Sequence, residues 1–379
     1  MDFQLSKEQE MARNLFREFA EKEVKPLAQE IDENERFPIE TAEKMAKYGF
    51  LGIPIPKEYG GQGCDELTFN LCVEELSKVC ASTGVTVETH TSLGSEPILD
   101  YGTKEQKEKY LIPLAKGEVL GGFGLTEPNA GTDASGQQTK AVLNGDHYII
   151  NGSKIFISNG GCAQTFIVFA MTDKSKGTKG ISAFIMEKSF PGFKVGTKEK
   201  KMGIRGSSTC ELVFENCIVP KENLLGVEGK GFSYAMKTLD AGRIGIASQA
   251  LGIAQGALDE TVKYVKERKQ FGRSISAFQN TQFQIANMAA RIESARLLVY
   301  KAAWAKDNGK PYSVEAAMAK LVASETAMAV TTKCVQLHGG YGYIKDYPIE
   351  RMMRDAKITE IYEGTSEVQR MVISASVLK

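Results

Sequence analysis

The amino-acid sequence predicts a multi-domain α and β protein with three successive parts. In the first third, apolar residues recur at helical intervals; short β-rich runs separated by turn residues begin near Val119; and long helical patterns return after Gly229. We therefore expect an N-terminal α-helical domain over residues 1–118, a middle antiparallel β-sandwich or barrel domain over 119–228, and a C-terminal four-helix bundle over 229–379.

The N-terminal helices are predicted from caps and apolar spacing. Ser6 and Gln9 have the spacing of a capping box, and Pro26 should kink or restart the helix that follows them. Pro38 then opens a second helix that Gly49 can end as a C-terminal cap. Two further helices are expected over Glu66–Val79 and Lys104–Leu114.

The β segment is predicted from short apolar runs without intervening helices, which are typical of an antiparallel sandwich or barrel. Asn151-Gly152-Ser153 lies between the first two runs and predicts a hairpin, because Asn-Gly between apolar runs favours a tight turn. The expected strands are Tyr148–Ile150, Lys154–Ile157, Thr165–Met171, Ile181–Met186 and Glu211–Phe214.

The last third predicts long helices joined by short loops. One helix opens at Asp240-Ala-Gly-Arg243, the next ends at Asn308-Gly309, and a third runs from Ser313 to Leu337. Ser366 and Gln369 have capping-box spacing for a final helix.

Composition excludes several classes of function. The 47 basic and 47 acidic residues give a formal net charge of zero, which argues against a polybasic nucleic-acid surface. No apolar run approaches the ~20 residues of a membrane span, and the first ten residues do not resemble an export signal, so we expect a cytoplasmic protein. Seven scattered cysteines and three distant histidines favour neither a metal site nor a disulfide framework.

A glycine-rich segment, Gly121–Asp133, is the first candidate binding site. Glycines let a backbone approach a ligand closely, and Thr126, Thr132 and Asp133 could hydrogen-bond to it. A plain turn-rich loop explains the same composition. The chain has neither a Rossmann glycine motif opening a helix nor a phosphate-binding GxxxxGK[ST] loop.

Glu360–Glu367 is the second candidate, with Glu363 just ahead of a predicted helix. The segment suits a general base on a loop, with Gly364 permitting close approach of a substrate. Stabilisation of a carboxylate by a helix N-terminus is the alternative explanation.

Three further clusters combine polar residues with glycine. Gln336–Tyr343 ends a long helix, and capping by Gly339 explains only part of it. Arg268, followed by Gln279, could bind a phosphate or be a solvated cation at a helix end. Asp240 and Arg243 suit either a buried ion pair or a polar contact to a ligand.

Taken together and in this order, the motifs resemble the acyl-CoA dehydrogenase family over essentially the full chain. The matching signatures are Gly124-Leu-Thr-Glu-Pro-Asn-Ala-Gly-Thr-Asp133 through Gly136, Gln336-Leu-His-Gly-Gly-Tyr-Gly-Tyr343 on to Asp355, and Tyr362-Glu-Gly-Thr365. The family's architecture is also α, then β, then α.

The resemblance implies FAD as cofactor, an acyl-CoA thioester as substrate, and residues for both. Gln336 to Gly340 would reach FAD from a neighbouring subunit, which implies a homotetramer built as a dimer of dimers. Many relatives carry tryptophan where Phe156 stands. The implied FAD contacts are Phe123, Leu125, Thr126, Gly131, Thr132, Phe156, Ile157, Ser158, Arg268, Phe271, Gln279, Gln336, Leu337, Gly339, Gly340, Thr365 and Glu367. The implied substrate contacts are Thr132, Asp240, Arg243, Tyr362 and Gly364.

The family mechanism assigns Glu363 as the base that removes the α-proton of the thioester, while a β-hydride passes to flavin N5. Burial should raise the pKa of Glu363, and hydrogen bonds to the thioester oxygen should acidify the substrate. Some relatives place the base at the position of Gly242, which cannot serve here. Electron-transferring flavoprotein is the implied partner.

Alternatives remain at this stage. A non-enzymatic helical scaffold would not need both polar loops, and an oxidase or monooxygenase could use the same fold. The stretch Thr238–Ala250 looks most like the short-chain, butyryl-CoA branch, with medium or branched acyl chains as the alternative. Oxidation of butyryl-CoA and reduction of crotonyl-CoA are both compatible with the sequence.

Overall fold

The structure is a computed structural model that describes residues 4–379. Its first part is helical, with short π-helical or 3-10 turns between several of the helices. The helices are α1 (Lys7–Phe19), α2 (Ala28–Glu33), α3 (Ile39–Lys47), α4 (Glu66–Ser77), α5 (Ala81–Glu88), α6 (Glu96–Tyr101), α7 (Lys104–Gln106) and α8 (Ile112–Lys116).

The caps of the first helices confirm the sequence signals. Ser6 and Gln9 form the predicted capping box at the start of α1. A π-helical turn and a 3-10 turn carrying Pro26 separate α1 from α2, since proline cannot continue the hydrogen-bond ladder. Gly49 ends α3 with a φ of 75°.

The sequence missed α5, the π-helical turn Thr89–Ser95 and α6. Residues 81–95 are all buried, so this segment has no polar face to produce a helical stripe. The segment brings Thr89 and Leu93 to the wall of a cavity that also includes Glu363.

The middle part is an eight-stranded sheet in the order β6-β7-β3-β2-β4-β5-β8, with β1 beside β4. Pairings are antiparallel except that β1 and β2 each pair in parallel with β4. The strands are β1 (Gly121–Gly124), β2 (Lys140–Asn144), β3 (His147–Ile157), β4 (Thr165–Met171), β5 (Ile181–Glu187), β6 (Phe193–Lys198), β7 (Cys210–Pro220) and β8 (Leu224–Leu225).

The hairpin predicted at Asn151-Gly152-Ser153 is wrong, because β3 continues through it. Ile150 pairs with Cys217 and Gly152 with Phe214, so β7 has one residue more than β3 between these pairs and bulges opposite Asn151. The Asn151 side chain accepts a 2.8 Å hydrogen bond from the Asn216 backbone N–H, which supports the bulge.

The C-terminal part is a bundle in which α9 packs against α10 and α11 and also contacts α4. Its apolar core is rich in alanine, which lets the helices approach closely. A two-stranded ribbon, β9 (Lys269–Gln270) and β10 (Arg273–Ser274), follows α9. The helices are α9 (Gly231–Glu267), α10 (Gln279–Asp307), α11 (Ser313–His338), α12 (Ile349–Ile358) and α13 (Ser366–Val377).

Two predicted helix starts are wrong. The helix expected to open at Asp240 begins at Gly231, so Asp240 lies within α9. The final helix is capped by Thr365 rather than Ser366, since the Thr365 hydroxyl accepts a hydrogen bond from Val368 N–H.

The first helices and the sheet share one hydrophobic core that includes Phe16, Phe50, Phe166 and Phe184. The fold class expected from the sequence is therefore confirmed, whereas the domain boundaries at 118/119 and 228/229 stay predictions. None of the helices in residues 4–379 combines the length and apolarity that crossing a bilayer requires.

Candidate active site

A cavity of about 520 Å³ lies where the central helical turn, the sheet and the C-terminal bundle meet. Its walls come from the segment after α5, from β1 and the loop after it, from the end of β3, from α9 and from the loop between α12 and α13. Thirteen of the predicted site residues line it: Phe123, Leu125, Thr126, Gly131, Thr132, Phe156, Ile157, Ser158, Arg243, Tyr362, Glu363, Gly364 and Thr365.

The loop after β1 is held from behind by a buried lysine. Lys154 Nζ donates hydrogen bonds to Leu125 O at 3.0 Å, Glu127 Oε1 at 2.8 Å and Gln137 Oε1 at 3.1 Å. Burial lowers the pKa of Lys154 to about 8, although the Glu127 carboxylate opposes that shift. These contacts fix the backbone on either side of Thr126, so the wall is preorganised.

Phe156 presents its ring to the cavity from a strained backbone. Its φ is 59°, a left-handed conformation that is uncommon for a bulky residue, and its side chain is 62% exposed. The residue lies at an irregularity in the β3–β7 pairing, between Lys154 and Ile157. Such strain persists where surrounding structure enforces it, and it is frequent at ligand sites.

Glu363 projects from the loop between α12 and α13, which is anchored by three helices. Its own φ is 52° and that of Gly364 is 96°, so the chain turns sharply here. Lys320 Nζ on α11 donates a 2.7 Å hydrogen bond to Gly364 O, and Gln369 Nε2 on α13 donates one of 2.8 Å. Arg243 Nε on α9 donates one of 3.4 Å to Glu363 O.

The electrostatics of Glu363 suit a base. Burial raises its pKa to about 7, and the Lys320 and Arg243 cations hold it from rising further. Its Oε2 atom is buried and accepts no hydrogen bond from any hydroxyl, amide or cation in the described residues. In residues 4–379 the Glu363 backbone N–H likewise donates to no protein acceptor.

Gly242 makes room for the Glu363 carboxylate. A Cβ built on Gly242 would lie 2.1 Å from Glu363 Oε2 and 3.1 Å from Leu93 Cδ2. The absence of a side chain at 242 therefore permits the position of the carboxylate at 363.

Arg243 and Asp240 form an ion pair, which is one of the two arrangements that the sequence allowed. Arg243 Nη1 lies 2.6 Å from Asp240 Oδ1, and the Arg243 side chain is only 7% exposed. Asp240 does not line the cavity of Glu363 but a separate one of about 730 Å³. Tyr362 hydrogen-bonds through its hydroxyl to Gln249 and so ties the loop to α9.

A second group of predicted residues gathers in a different cleft of about 450 Å³. Arg268 lies in it together with Gln336, Leu337, Gly339 and Gly340, and its guanidinium stands over the Tyr341 ring at 5.2 Å. The side chain of Phe271 is 94% exposed, and Gln279 and Glu367 are exposed as well. Arg268 thus belongs with the Gln336–Gly340 segment rather than with the cavity of Glu363.

Sequence reasoning missed three charged residues around the site: Glu88, Lys154 and Lys320. Each is buried. The sequence did contain a signal for Glu88. It is the one acidic residue in the stretch 81–95, which has no lysine or arginine. Lys154 and Lys320 lie in ordinary strand and helix patterns and give no comparable signal.

The cavity fits the flavin ring of an FAD. Phe123, Leu125 and Phe156 provide apolar surface, and Thr126 and Ser158 provide hydrogen-bonding edges. A Cβ on Gly131 would have nothing within 4 Å, so the backbone there is open to a ligand.

Comparison with family profiles covers most of the chain. Residues 6–118 match the acyl-CoA dehydrogenase N-terminal domain, residues 122–217 the middle domain, and residues 229–378 the C-terminal domain.

Individual relatives match over their full lengths. The short-chain specific acyl-CoA dehydrogenase of Clostridium acetobutylicum is 66% identical over 379 residues, with 100% of both chains covered. Butyryl-CoA dehydrogenase from Megasphaera elsdenii is 54% identical with a TM-score of 0.99, again with 100% of both chains covered. A chain in a structure described as electron transferring flavoprotein of Acidaminococcus fermentans is 60% identical with a TM-score of 0.99 and the same coverage.

Other matched structures are described as containing FAD or FADH2. With a full-length relative at 66% identity and all three domain profiles in order, this chain belongs to the acyl-CoA dehydrogenase family of flavoprotein oxidoreductases.

Proposed function

We propose that this protein is an FAD-dependent short-chain acyl-CoA dehydrogenase that interconverts butyryl-CoA and crotonyl-CoA, with Glu363 as the base. One observation carries the proposal: the buried Glu363 carboxylate opens onto the same cavity as the glycine-rich loop and Phe156. The names of the C. acetobutylicum and M. elsdenii relatives support the short-chain substrate.

Glu363 is suited to remove the α-proton of a thioester. That proton is a far weaker acid than an ordinary glutamic acid, so an unshifted carboxylate would be a poor base. With its pKa raised by burial to about 7, the Glu363 carboxylate binds a proton more tightly and is still substantially ionised near neutral pH. The mostly apolar walls would exclude water from the proton transfer once the substrate fills the cavity.

The backbone N–H of Glu363 is the proposed donor to the thioester carbonyl oxygen. It has no protein acceptor in residues 4–379, and the loop that carries it is fixed by Lys320, Arg243 and Gln369. A preorganised donor at the carbonyl stabilises the charge that develops there when the α-proton leaves.

FAD, when bound, supplies the acceptor for the hydride that leaves the β-carbon. The cavity residues 123–132 and 156–158 would hold its ring, with Thr365 nearby. Because Arg268 and the Gln336–Gly340 segment lie in a separate cleft, we propose that both reach the FAD of a neighbouring subunit in a homotetramer. Phe271 and Gln279, on the ribbon and the helix after Arg268, would join them, and Glu367 would complete the site beside Thr365.

Arg243, Asp240, Tyr362, Gly364 and Thr132 are the proposed contacts to the acyl-CoA. Asp240 acts at least in part by fixing the Arg243 side chain. We propose electron-transferring flavoprotein as the redox partner, and the related chain from the A. fermentans structure supports that choice. A cytoplasmic location remains a prediction.

The test is an anaerobic titration of the purified protein with butyryl-CoA, followed by visible absorption. We expect a yellow protein whose flavin band bleaches with butyryl-CoA. A colourless protein, or a yellow one that butyryl-CoA leaves unchanged, would contradict the proposal.

Two comparisons refine the result. Butyryl-CoA should exceed octanoyl-CoA in kcat/KM, and the reverse order would overturn the short-chain assignment. Repeating the reduction with oxygen separates a dehydrogenase, whose reduced flavin persists until a partner accepts the electrons, from an oxidase, whose flavin is reoxidised at once. Crotonyl-CoA added to the reduced enzyme tests the reverse direction.

A further inference from the structure

A second buried carboxyl group lies beside the proposed base. Glu88 ends α5, and its side chain is completely buried. Its Oε1 atom accepts a hydrogen bond from the Ser92 hydroxyl, and its Oε2 atom accepts one of 3.3 Å from the Thr89 hydroxyl. The mechanism above gives this residue no task.

Two glycines on α9 show that the carboxyls of Glu88 and Glu363 are neighbours. A Cβ on Gly242 would lie 2.1 Å from Glu363 Oε2, and a Cβ on Gly245 would lie 2.8 Å from Glu88 Oε1. Residues three apart on a helix share one face, with Cβ atoms about 5–6 Å apart. Both carboxyls therefore pack side by side against the face of α9 that carries Gly242 and Gly245.

The charges around this pair are unevenly distributed. Lys320 and Arg243 face Glu363, whereas no lysine or arginine in residues 4–379 pairs with Glu88. Tyr362 faces both carboxyls. Burial and the Glu363 charge raise the pKa of Glu88 well above its ordinary value. A buried charge without a cation is costly, so Glu88 is the member of the pair that keeps a proton.

A proton on Glu88 would also give the unpaired Glu363 Oε2 atom a hydrogen-bond donor. Glu363 Oε2 is buried and receives no hydrogen bond from a hydroxyl, an amide or a cation in the described part of the chain. A neutral carboxylic acid beside it is a donor that the ionised form of Glu88 could not be.

We propose that Glu88 is a positioning residue: a neutral carboxylic acid that donates a hydrogen bond to the Glu363 carboxylate and holds it above Gly242. This inference rests on the proposed function, in which Glu363 is the base. In this arrangement Glu88 favours the ionised form of Glu363 before the α-proton arrives, and the pair holds two protons afterwards.

The experiment compares the full-length, FAD-loaded wild type with Glu88→Gln and Glu88→Met. Glutamine keeps an N–H donor of similar shape, and methionine keeps the volume but offers no donor. The readout is the pH dependence of kcat/KM for butyryl-CoA. We expect Glu88→Gln to retain the wild-type inflection and Glu88→Met to move it to higher pH with at least a tenfold lower rate near neutrality.

A purely structural role for Glu88 would lower stability in both variants without separating their pH profiles. Equal profiles for the two variants, or a shift of the methionine variant to lower pH, would overturn the proposal. Should Glu88→Met fail to fold, infrared spectra of the wild type and Glu88→Gln decide the matter. We expect a protonated-carboxyl band at neutral pH that Glu88→Gln loses, and an unchanged band would contradict the assignment.

Failure of this inference is distinguishable from failure of the proposed function. If butyryl-CoA reduces the wild-type flavin but the Glu88 variants behave alike, only the role of Glu88 is wrong. If butyryl-CoA does not reduce the wild-type flavin, the function itself is wrong.

Discussion

At the scale of single residues, the site depends on one side chain that is present and one that is missing. Glu363 supplies a buried carboxylate whose pKa burial raises to about 7. Gly242 supplies the space, since any side chain there would meet that carboxylate. Some relatives carry the base at the position of Gly242, and glycine cannot serve as one, so Glu363 is the candidate base here.

Gly242→Ala should therefore impair catalysis without impairing the fold. Alanine is a better helix former than glycine by about 1 kcal/mol, so α9 should persist. Its methyl group would force the Glu363 carboxylate to move, and a displacement of about 1 Å can cost ~100-fold in rate. Stopped-flow reduction by butyryl-CoA, with circular dichroism and FAD content as controls, measures the effect. A variant as fast as the wild type would show that Gly242 does not set the position of Glu363.

At the scale of elements, the loop between α12 and α13 derives its shape from its neighbours. Lys320 on α11, Arg243 on α9 and Gln369 on α13 each donate to its backbone carbonyls. Burial lowers the pKa of Lys320 to about 8, yet its charge still favours the ionised form of Glu363.

Lys320→Met should loosen the loop and leave less of the Glu363 carboxyl ionised near neutral pH. We expect a 10- to 100-fold lower kcat and an inflection of the pH–rate profile above that of the wild type, because a cation that favours the ionised form of Glu363 is lost. Loss of the hydrogen bond should also reduce the free energy of unfolding by about 1–3 kcal/mol. Lys301→Met, at a half-exposed lysine of α10, is the matched control and should change neither quantity. An unchanged pH profile in Lys320→Met would remove Lys320 from the account.

The helices that could be predicted from the sequence are those with one polar, solvent-facing side or with a recognisable cap. The capping box at Ser6, the break at Pro26 and the ends at Gly49 and Gly339 are local signals, and the structure bears them out. The segment 81–95 was missed because burial on all sides removes helical periodicity. Asn151-Gly152 was misread as a turn because it lies within β3 opposite a bulge of β7, and nothing in the local sequence distinguishes the two cases.

In the candidate site, too, residues marked by local sequence signals could be predicted, and residues placed only by tertiary packing could not. The loops carrying Thr126 and Glu363 could be picked out as candidates from their glycine and polar residues, and the family resemblance implied that both border one ligand site. Glu88 and Lys320 act through neighbours distant in sequence, and only the packing of α5, α9 and α11 brings them to Glu363.

At the scale of the whole molecule, two separate clefts carry the predicted cofactor residues. Arg268 and Gln336 lie in one, and Glu363 and Phe156 lie in the other. If one FAD contacts the Glu363 cavity of one subunit and the Arg268 cleft of its neighbour, cofactor binding and subunit assembly depend on each other.

Arg268→Ala should weaken FAD binding and leave the Glu363 cavity intact. Loss of a charge-assisted contact to a phosphate commonly costs about 1.5–3 kcal/mol, which corresponds to a roughly 10- to 150-fold weaker affinity. FAD retention on dilution and sedimentation velocity measure cofactor loss and assembly. The neighbouring exposed residue Lys269, changed to alanine, is the control. If Arg268→Ala retained FAD as firmly as the control, Arg268 would have no part in holding it.

Stability should also depend on pH through the base. A carboxyl whose pKa is raised on folding, here from 4.5 to about 7, stabilises the fold fully below about pH 4.5 and loses that contribution as the pH rises through about 7. Glu363→Gln does not titrate, so its unfolding free energy relative to wild type should rise by about 2–3 kcal/mol between pH 4.5 and 8. Urea unfolding of both proteins across that range measures the difference, and parallel curves would contradict the raised pKa.

The central claim is that Glu363 removes the α-proton, and isotope exchange tests it most directly. A butyryl-CoA analogue with sulfur in place of the β-carbon has an α-proton but no β-hydride, so proton removal can be followed alone. In D₂O, the wild type should exchange the α-hydrogens of this analogue for deuterium, as seen by NMR. Glu363→Gln, with FAD and analogue binding retained, should exchange them more slowly by several orders of magnitude. Equal exchange rates in the two proteins would show that another group is the base.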